Sequence, residues 1–84
     1  MGSTVDIKAY TSTKYTIPND GYVLISTQSS TDTSQYTVAY VNDMQVAVSV
    51  NNGVHAVTVP VFVRKGMTVR FDGTGVWANF LPLA

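Results

Sequence analysis

The segment Tyr-Thr-Val-Ala-Tyr-Val-Asn-Asp-Met-Gln-Val-Ala-Val-Ser-Val, residues 36–50, decides the fold class. It holds two short apolar-rich runs, Tyr36–Val41 and Met44–Val50, separated by Asn42-Asp43. Val, Thr and Tyr are typical of strands, because branched and aromatic side chains fit a pleated surface. Asn and Asp tolerate the positive φ that the two central residues of a type I′ turn require. The segment therefore predicts a β-hairpin with a two-residue turn.

The same short runs continue on both sides of this hairpin. Towards the N-terminus they predict strands over 5–10, 14–17 and 22–27, with a turn at Pro18-Asn19-Asp20-Gly21. Towards the C-terminus the longest predicted strand covers 54–63, and Pro60 within it indicates a bend or a sheet edge. Hairpin turns are predicted at residues 64–66 and 72–75, leading into strands over 67–71 and 76–83.

About eight short strands and no helical period predict an all-β, antiparallel β-sandwich of the jelly-roll kind. All five acidic residues are Asp and none is Glu, which also disfavours helix. The chain has 84 residues, which is the length of a single domain over 1–84. Met1-Gly2-Ser3 resembles a remnant of expression cloning, although a native start fits as well.

The composition predicts self-association. Hydrophobic residues make up 45% of the chain and charged residues 12%, about half the usual charged share of ~25%. A domain this small has little interior, so part of the apolar surface should face another subunit. The predicted interface residues lie on the strand over 54–63 and on the last strand: Val57, Val59, Val61, Phe62, Trp77 and Phe80.

Several function classes are disfavoured. The chain has no Cys, and its one His, His55, cannot build a zinc site alone, so neither a cofactor nor a metal is expected. Five scattered basic residues balance five acidic ones, which is not the pattern of a nucleic-acid binder. No apolar stretch approaches the ~20 residues of a membrane span, and no signal peptide opens the chain.

No catalytic constellation is visible either. No Ser has a neighbouring base or a G-x-S-x-G setting, and the Asp residues lie mainly in turns, where Asp is common for structural reasons. His55 has two possible interpretations. It is an ordinary strand residue, or it meets its copies on a trimer axis and holds a metal or an anion. We therefore predict a protein that is not an enzyme.

The long polar run over residues 28–35 is the candidate ligand-binding loop, because loops on a rigid sheet often carry binding residues. The predicted site residues are Ser29, Ser30, Thr31, Asp32, Thr33, Ser34 and Tyr36. The alternative is a solvated connection without a role. Trp77 and the five tyrosines could form a sugar-stacking platform, but such aromatics more often pack in a core or an interface.

Four segments, residues 15–23, 41–46, 59–69 and 73–83, together resemble the small β-sandwich knobs of tailed-phage fibre tips and related virion proteins. They read Y-T-x-P-x-D-G-Y, then V-N-x-x-x-V, then V-x-K-G-x-x-V, then F-x-P-L, as in compact tumour-necrosis-factor-like jelly rolls. The resemblance covers most of the chain from Lys14 onward. Many such knobs have an acidic residue after the Gly of the third motif, where this chain has Met67.

The resemblance implies a homotrimeric component of the virion, assembled in the host cytoplasm, that binds a host surface glycan or protein. The alternative is a structural or capsid-decorating head-fibre protein that binds only other virion subunits; a depolymerase ranks third. Whether the chain is a fragment of a longer fibre stays open. The number three comes from the resemblance, since the composition is satisfied equally by a dimer.

Overall fold

The computed structural model describes residues 3–27, 35–50 and 58–83. Over these residues the chain forms eight strands and no helix. The strands are β1 (Val5–Asp6), β2 (Tyr15–Thr16), β3 (Gly21–Thr27), β4 (Tyr36–Val41), β5 (Met44–Val50), β6 (Val59–Val63), β7 (Thr68–Thr74) and β8 (Val76–Pro82). None of the described segments is a helix long and apolar enough to cross a membrane.

The strands form two antiparallel sheets of four strands each. Sheet A has the order β1-β8-β3-β6, and sheet B has the order β2-β7-β4-β5. The first four strands therefore pair in reverse order with the last four, as β1·β8, β2·β7, β3·β6 and β4·β5. This nested pairing, split over two packed sheets, is the topology of an eight-stranded jelly roll. The predicted fold class is confirmed.

The hairpin over residues 36–50 is confirmed with the predicted bounds. Asn42 and Asp43 have φ of 50° and 67°, as a type I′ turn requires. The turn is also attached to β7, because Asn42 N donates to Thr68 O at 2.9 Å and Thr68 N donates to Asn42 Oδ1 at 3.1 Å. These two bonds lock the hairpin against its neighbour in sheet B.

The core lies between the two sheets and is built by alternation. Along β3 the side chains alternate between buried and more exposed over all seven residues, as expected when one face of a strand is inward. The buried apolar residues are Ile7, Ile17, Val23, Ile25, Ala39, Val63, Val69, Phe71, Ala78 and Phe80. Both sheets and two of the connections contribute to this set, so it is one core shared by the described chain.

The first two strands are shorter than predicted. Residues 8–11 form a turn in place of the end of the first predicted strand, and Tyr10 N donates to Ile7 O at 3.2 Å. Ile7 nevertheless continues the contact with β8, since its amide donates to Ala78 O at 3.0 Å. Tyr10 O in turn accepts from Phe71 N at 2.9 Å, so this turn carries the chain from sheet A to sheet B.

Two predicted hairpin turns are wrong. Residues 64–66 join β6 of sheet A to β7 of sheet B, and Gly75 joins β7 to β8 of sheet A, so both connections cross the sandwich. Gly66 has φ of 93° and Gly75 has φ of 77°, so the positive φ expected of such corners is present. What differs is the strand that follows each corner, which lies in the other sheet. In addition, β7 continues to Thr74, through residues predicted as a turn.

Candidate binding surfaces

The outer side of sheet A carries an apolar surface that we call the aromatic face. The strand register places Phe62 beside Tyr22 and Tyr22 beside Leu81, and in the next outward row Pro60 beside Leu24. These five residues define the aromatic face. Tyr22 is 38% exposed and Phe62 is 47% exposed. None of these five residues is charged.

The two rings of the aromatic face hold each other in place. Tyr22 and Phe62 have centroids 5.5 Å apart and planes inclined at 65°, an edge-to-face contact. Such a pair presents a rigid apolar surface with little side-chain entropy left to lose on binding. It suits an apolar protein surface or the apolar side of a sugar ring.

A second exposed aromatic group lies at the other end of sheet A. Trp77 is 41% exposed, and Lys8 Nζ lies 4.5 Å from the centroid of its ring. Lys8 is also 3.5 Å from Asp6 Oδ2, so a small charged cluster lies against the indole. The ammonium group occupies one side of the ring, which makes Trp77 a less open platform than the Tyr22–Phe62 pair.

The outer side of sheet B carries a row of valines along β5. Val46, Val48 and Val50 are 48%, 42% and 53% exposed, and we call these three residues the valine row. Between them Ser49 is buried and Ala47 is half-buried against the core. Opposite Ala39 and Tyr40 the register shifts, so that Val46 is the extra residue of a β-bulge. The rest of β5 is regular.

The core becomes polar towards one end of the sandwich. Thr27, Thr37 and Ser49 are buried there, on strands of both sheets. The Thr37 hydroxyl donates to Ser26 O at 2.6 Å and accepts from Trp77 N at 3.4 Å, which joins sheet B to sheet A. In contrast, Thr27 Oγ1 and the buried Gln35 Oε1 have no hydrogen-bond partner within the described part of the chain.

The predicted ligand-binding residues 29–34 and the residues His55 and Val57 lie outside the described residues. Tyr36, the remaining member of the predicted site, begins β4 and is 39% exposed. Its strand partners are Val50 and Thr74, so it lies beside one end of the valine row. The structure therefore brings Tyr36 together with the valine row and not with the aromatic face.

The predicted interface is divided by the structure. Phe62 and Trp77 are exposed, but Phe80 is 1% exposed and belongs to the core, so the prediction that Phe80 faces a partner is wrong. Val59 and Val61 pack against the same core from β6. Their face is covered by the chain's own second sheet, and the argument that it needs another subunit is also wrong. The exposed apolar surface of this strand is the opposite face, which bears Phe62.

The valine row was not anticipated as a surface. The signal for it is the alternation of Val with small residues in Val-Ala-Val-Ser-Val over 46–50. Small residues at every second position fit the inside of a sandwich where two sheets approach closely, and larger apolar residues then point outward. The opposite assignment, with the valines inward, is the ordinary expectation from hydrophobicity alone.

The described residues offer little for acid–base or metal chemistry. No three His, Cys, Asp or Glu side chains among them lie close enough together to hold a metal ion. Two ion pairs occur in that region, Lys8 with Asp6 and Lys14 with Asp43, and both are exposed. The prominent features are therefore apolar and aromatic surfaces, which act by contact.

Comparison with known proteins gives no match. No protein-family model, no curated protein and no solved structure matches this chain.

Proposed function

We propose that this protein is a non-enzymatic attachment module of a phage virion, which binds a glycan or a protein on the host surface. The aromatic face carries this proposal. It offers two mutually ordered rings, 38% and 47% exposed, on a rigid strand pair and without a charged neighbour in the face. Rigid exposed aromatic groups are the usual contact residues for both sugars and proteins. The assignment to a virion rests on the resemblance of the sequence motifs to fibre-tip knobs.

The second candidate is an assembly protein that binds only other virion subunits, and the valine row favours it. Three exposed valines provide an apolar contact but no hydrogen-bonding groups on their side chains for a sugar. Surfaces of this composition are typical of permanent protein contacts. Both candidates share self-association; the resemblance implies three copies, whereas the composition is satisfied equally by two.

Binding of the purified chain to a glycan array and to a panel of whole bacterial cells tests the attachment proposal. We expect binding that is lost in F62A and in Y22A, because each substitution removes one ring of the pair. The matched control is M44A, which truncates a 70% exposed apolar residue on the other sheet and should bind normally. Replacing residues 28–35 with a Gly/Ser linker separates a contribution of the predicted loop from that of the aromatic face.

The outcomes separate the candidates. Binding that is lost with the aromatic substitutions and kept in M44A supports attachment through the aromatic face. Binding that is lost only with the linker replacement supports attachment through the loop, and overturns the role of Tyr22 and Phe62. Absence of cell and glycan binding, combined with tight binding to a virion protein, overturns attachment in favour of assembly.

A further inference from the structure

Sheet edges expose unpaired backbone groups, and proteins normally protect them. The strand orders leave β1, β6, β2 and β5 at the edges of the described sheets. Three of these edges carry recognised protection. β1 and β2 have two residues each, and β6 contains Pro60, which cannot donate a ladder hydrogen bond.

The fourth edge, β5, has such protection only at its beginning, from the bulge at Val46. It has seven residues, Met44–Val50, with no Pro, Gly or charged residue among them. Within the described chain it pairs only with β4. Its bulge at Val46 disturbs the beginning of the strand and leaves residues 47–50 regular. Such a long, uncharged edge is the kind that pairs with another strand.

The sequence of β5 is nearly symmetric about Val48 over residues 46–50. Residues 46–50 read Val-Ala-Val-Ser-Val, so an antiparallel copy centred on Val48 places Val46 opposite Val50 and Ala47 opposite Ser49. In this register Val48 lies opposite its own copy in the regular part of both strands, and Val46, at the bulge, lies opposite Val50. The inward pair, Ala47 with Ser49, is small on both strands. Cross-strand pairs of β-branched residues stabilise antiparallel sheets.

We infer that β5 pairs with β5 of a second copy of this chain about a two-fold axis at Val48. The pairing joins the two copies of sheet B into one sheet of eight strands. A second copy is the occupant that fits, because a charged residue near the axis would face its own copy, and β5 has none. The valine rows of the two copies then meet on one continuous surface, where side chains that are 42–53% exposed in one chain gain cross-strand contacts.

This inference is independent of the virion assignment, since it concerns the purified chain alone. Sedimentation velocity or light scattering with the full chain, from about 5 to about 500 µM, should show a reversible rise from one to two chains, because strand pairing buries a small area. Hydrogen exchange over the same range should slow in residues 44–50 and remain unchanged in β1. Neither measurement depends on a substitution.

Variants then test the position of the interface. V48K places two like charges together on the axis, and we expect it to weaken the dimer about a hundredfold. The matched control is V5K, since Val5 is a valine with 43% exposure on the edge of the other sheet, against 42% for Val48. V5K should dimerise as the unmodified chain does, and circular dichroism checks that both variants fold.

The register has its own test. V46K and V50E should each weaken the dimer, whereas the double variant V46K/V50E should restore it, because antiparallel pairing about Val48 puts each introduced lysine opposite an introduced glutamate. Restoration supports the register, and a double variant weaker than both single variants overturns it. A single-chain mass at the highest concentration, a three-chain mass, or loss of the dimer in V5K but not in V48K overturns the inference.

Discussion

At the polar end of the core, the same substitution of Thr by Val is expected to change the stability in opposite directions at two positions. Thr27 and Thr37 are both buried, at 3% and 0% exposure, and both lie on strands. The Thr37 hydroxyl makes two hydrogen bonds, to Ser26 O and from Trp77 N. The Thr27 hydroxyl has no partner in the described chain. Replacement by Val keeps the branched shape and the strand preference while it removes the hydroxyl.

The magnitudes follow from these contacts. In T37V a short bond to a backbone carbonyl is lost, and a partly buried acceptor left without its donor costs about 1–3 kcal/mol. The added methyl returns up to ~0.8 kcal/mol, so we expect a net destabilisation of about 1–2 kcal/mol. In T27V the hydroxyl already has no partner, so its removal and the added apolar group should stabilise by about 1 kcal/mol. The two variants should therefore differ by about 2–3 kcal/mol.

Urea and thermal unfolding followed by circular dichroism measure both free energies of unfolding. At 1 kcal/mol per ~4–8 °C for a domain of this size, T27V should melt about 4–8 °C higher and T37V about 4–16 °C lower than the parent. All chains should be compared at one low concentration, because self-association raises the apparent stability. T37S and T27S are the controls: each keeps a hydroxyl and loses one methyl, so the two should be destabilised alike.

A clear result would refute this reasoning. If T27V lowers the melting temperature as much as T37V does, the Thr27 hydroxyl is satisfied in solution, for which a buried water is the simplest donor. If T37V is as stable as the parent, the bridge from Thr37 to the other sheet does not stabilise the fold. In either case the ranking of the two hydroxyls by their hydrogen bonds fails.

Three further substitutions test the packing and the turns, each by urea unfolding. G21A should destabilise by about 1–3 kcal/mol, because a Cβ at Gly21 would clash with Leu81 O, which is a backbone atom and cannot move aside alone. An unchanged unfolding midpoint would contradict this contact. F71A should lower the free energy of unfolding by about 3–5 kcal/mol, since Phe71 is fully buried between the sheets. A variant that stays fully folded in moderate urea would show that Phe71 does not lie in the core. D43G should stabilise by up to ~1 kcal/mol, because Asp43 has φ of 67°, which is strained for a residue with a Cβ. Its ion pair with Lys14 is exposed and contributes little to stability. A loss of stability would mean that the ion pair outweighs this backbone strain.

Local signals in the sequence were sufficient for the elements that depend on neighbouring residues. The hairpin over 36–50 needs only two β-prone runs and two residues that accept positive φ, and the structure has it with the predicted bounds. The turns at 64–66 and at Gly75 carry the same local signal but connect strands of different sheets. A glycine with positive φ specifies a corner, whereas the sheet that the chain enters after it depends on long-range pairing, which no local pattern contains.

The faces of the strands show the same limit. Period two correctly places Val59, Val61 and Val63 on one side of β6, but both sides of this strand are apolar, so hydrophobicity cannot tell which side is inward. The assignment of Phe80 to an interface failed for the same reason, because β8 has apolar residues on both faces. The aromatic face emerges only when the register of β6, β3 and β8 is known. The valine row lies along β5 alone, but which side of that strand is inward depends on the packing of the two sheets.

The low share of charged residues is explained by the outward faces of the two sheets, which carry apolar side chains. A sandwich of two sheets has four faces, of which the two inward ones form the core, and in a chain that functions as a free monomer the outward ones are expected to be polar. Among the described residues, ten buried apolar residues fill the inward positions together with the polar residues Thr27, Thr37 and Ser49. Large apolar side chains such as Phe62, Met44 and Val50 stand outside, although Thr and Ser stand inside. This arrangement costs stability in a single chain, since apolar groups exposed to water contribute nothing and buried hydroxyls need partners. It is consistent with a domain whose outer faces are shaped for contact with other molecules, and the concentration dependence of the mass and the binding of F62A and Y22A test those two faces separately.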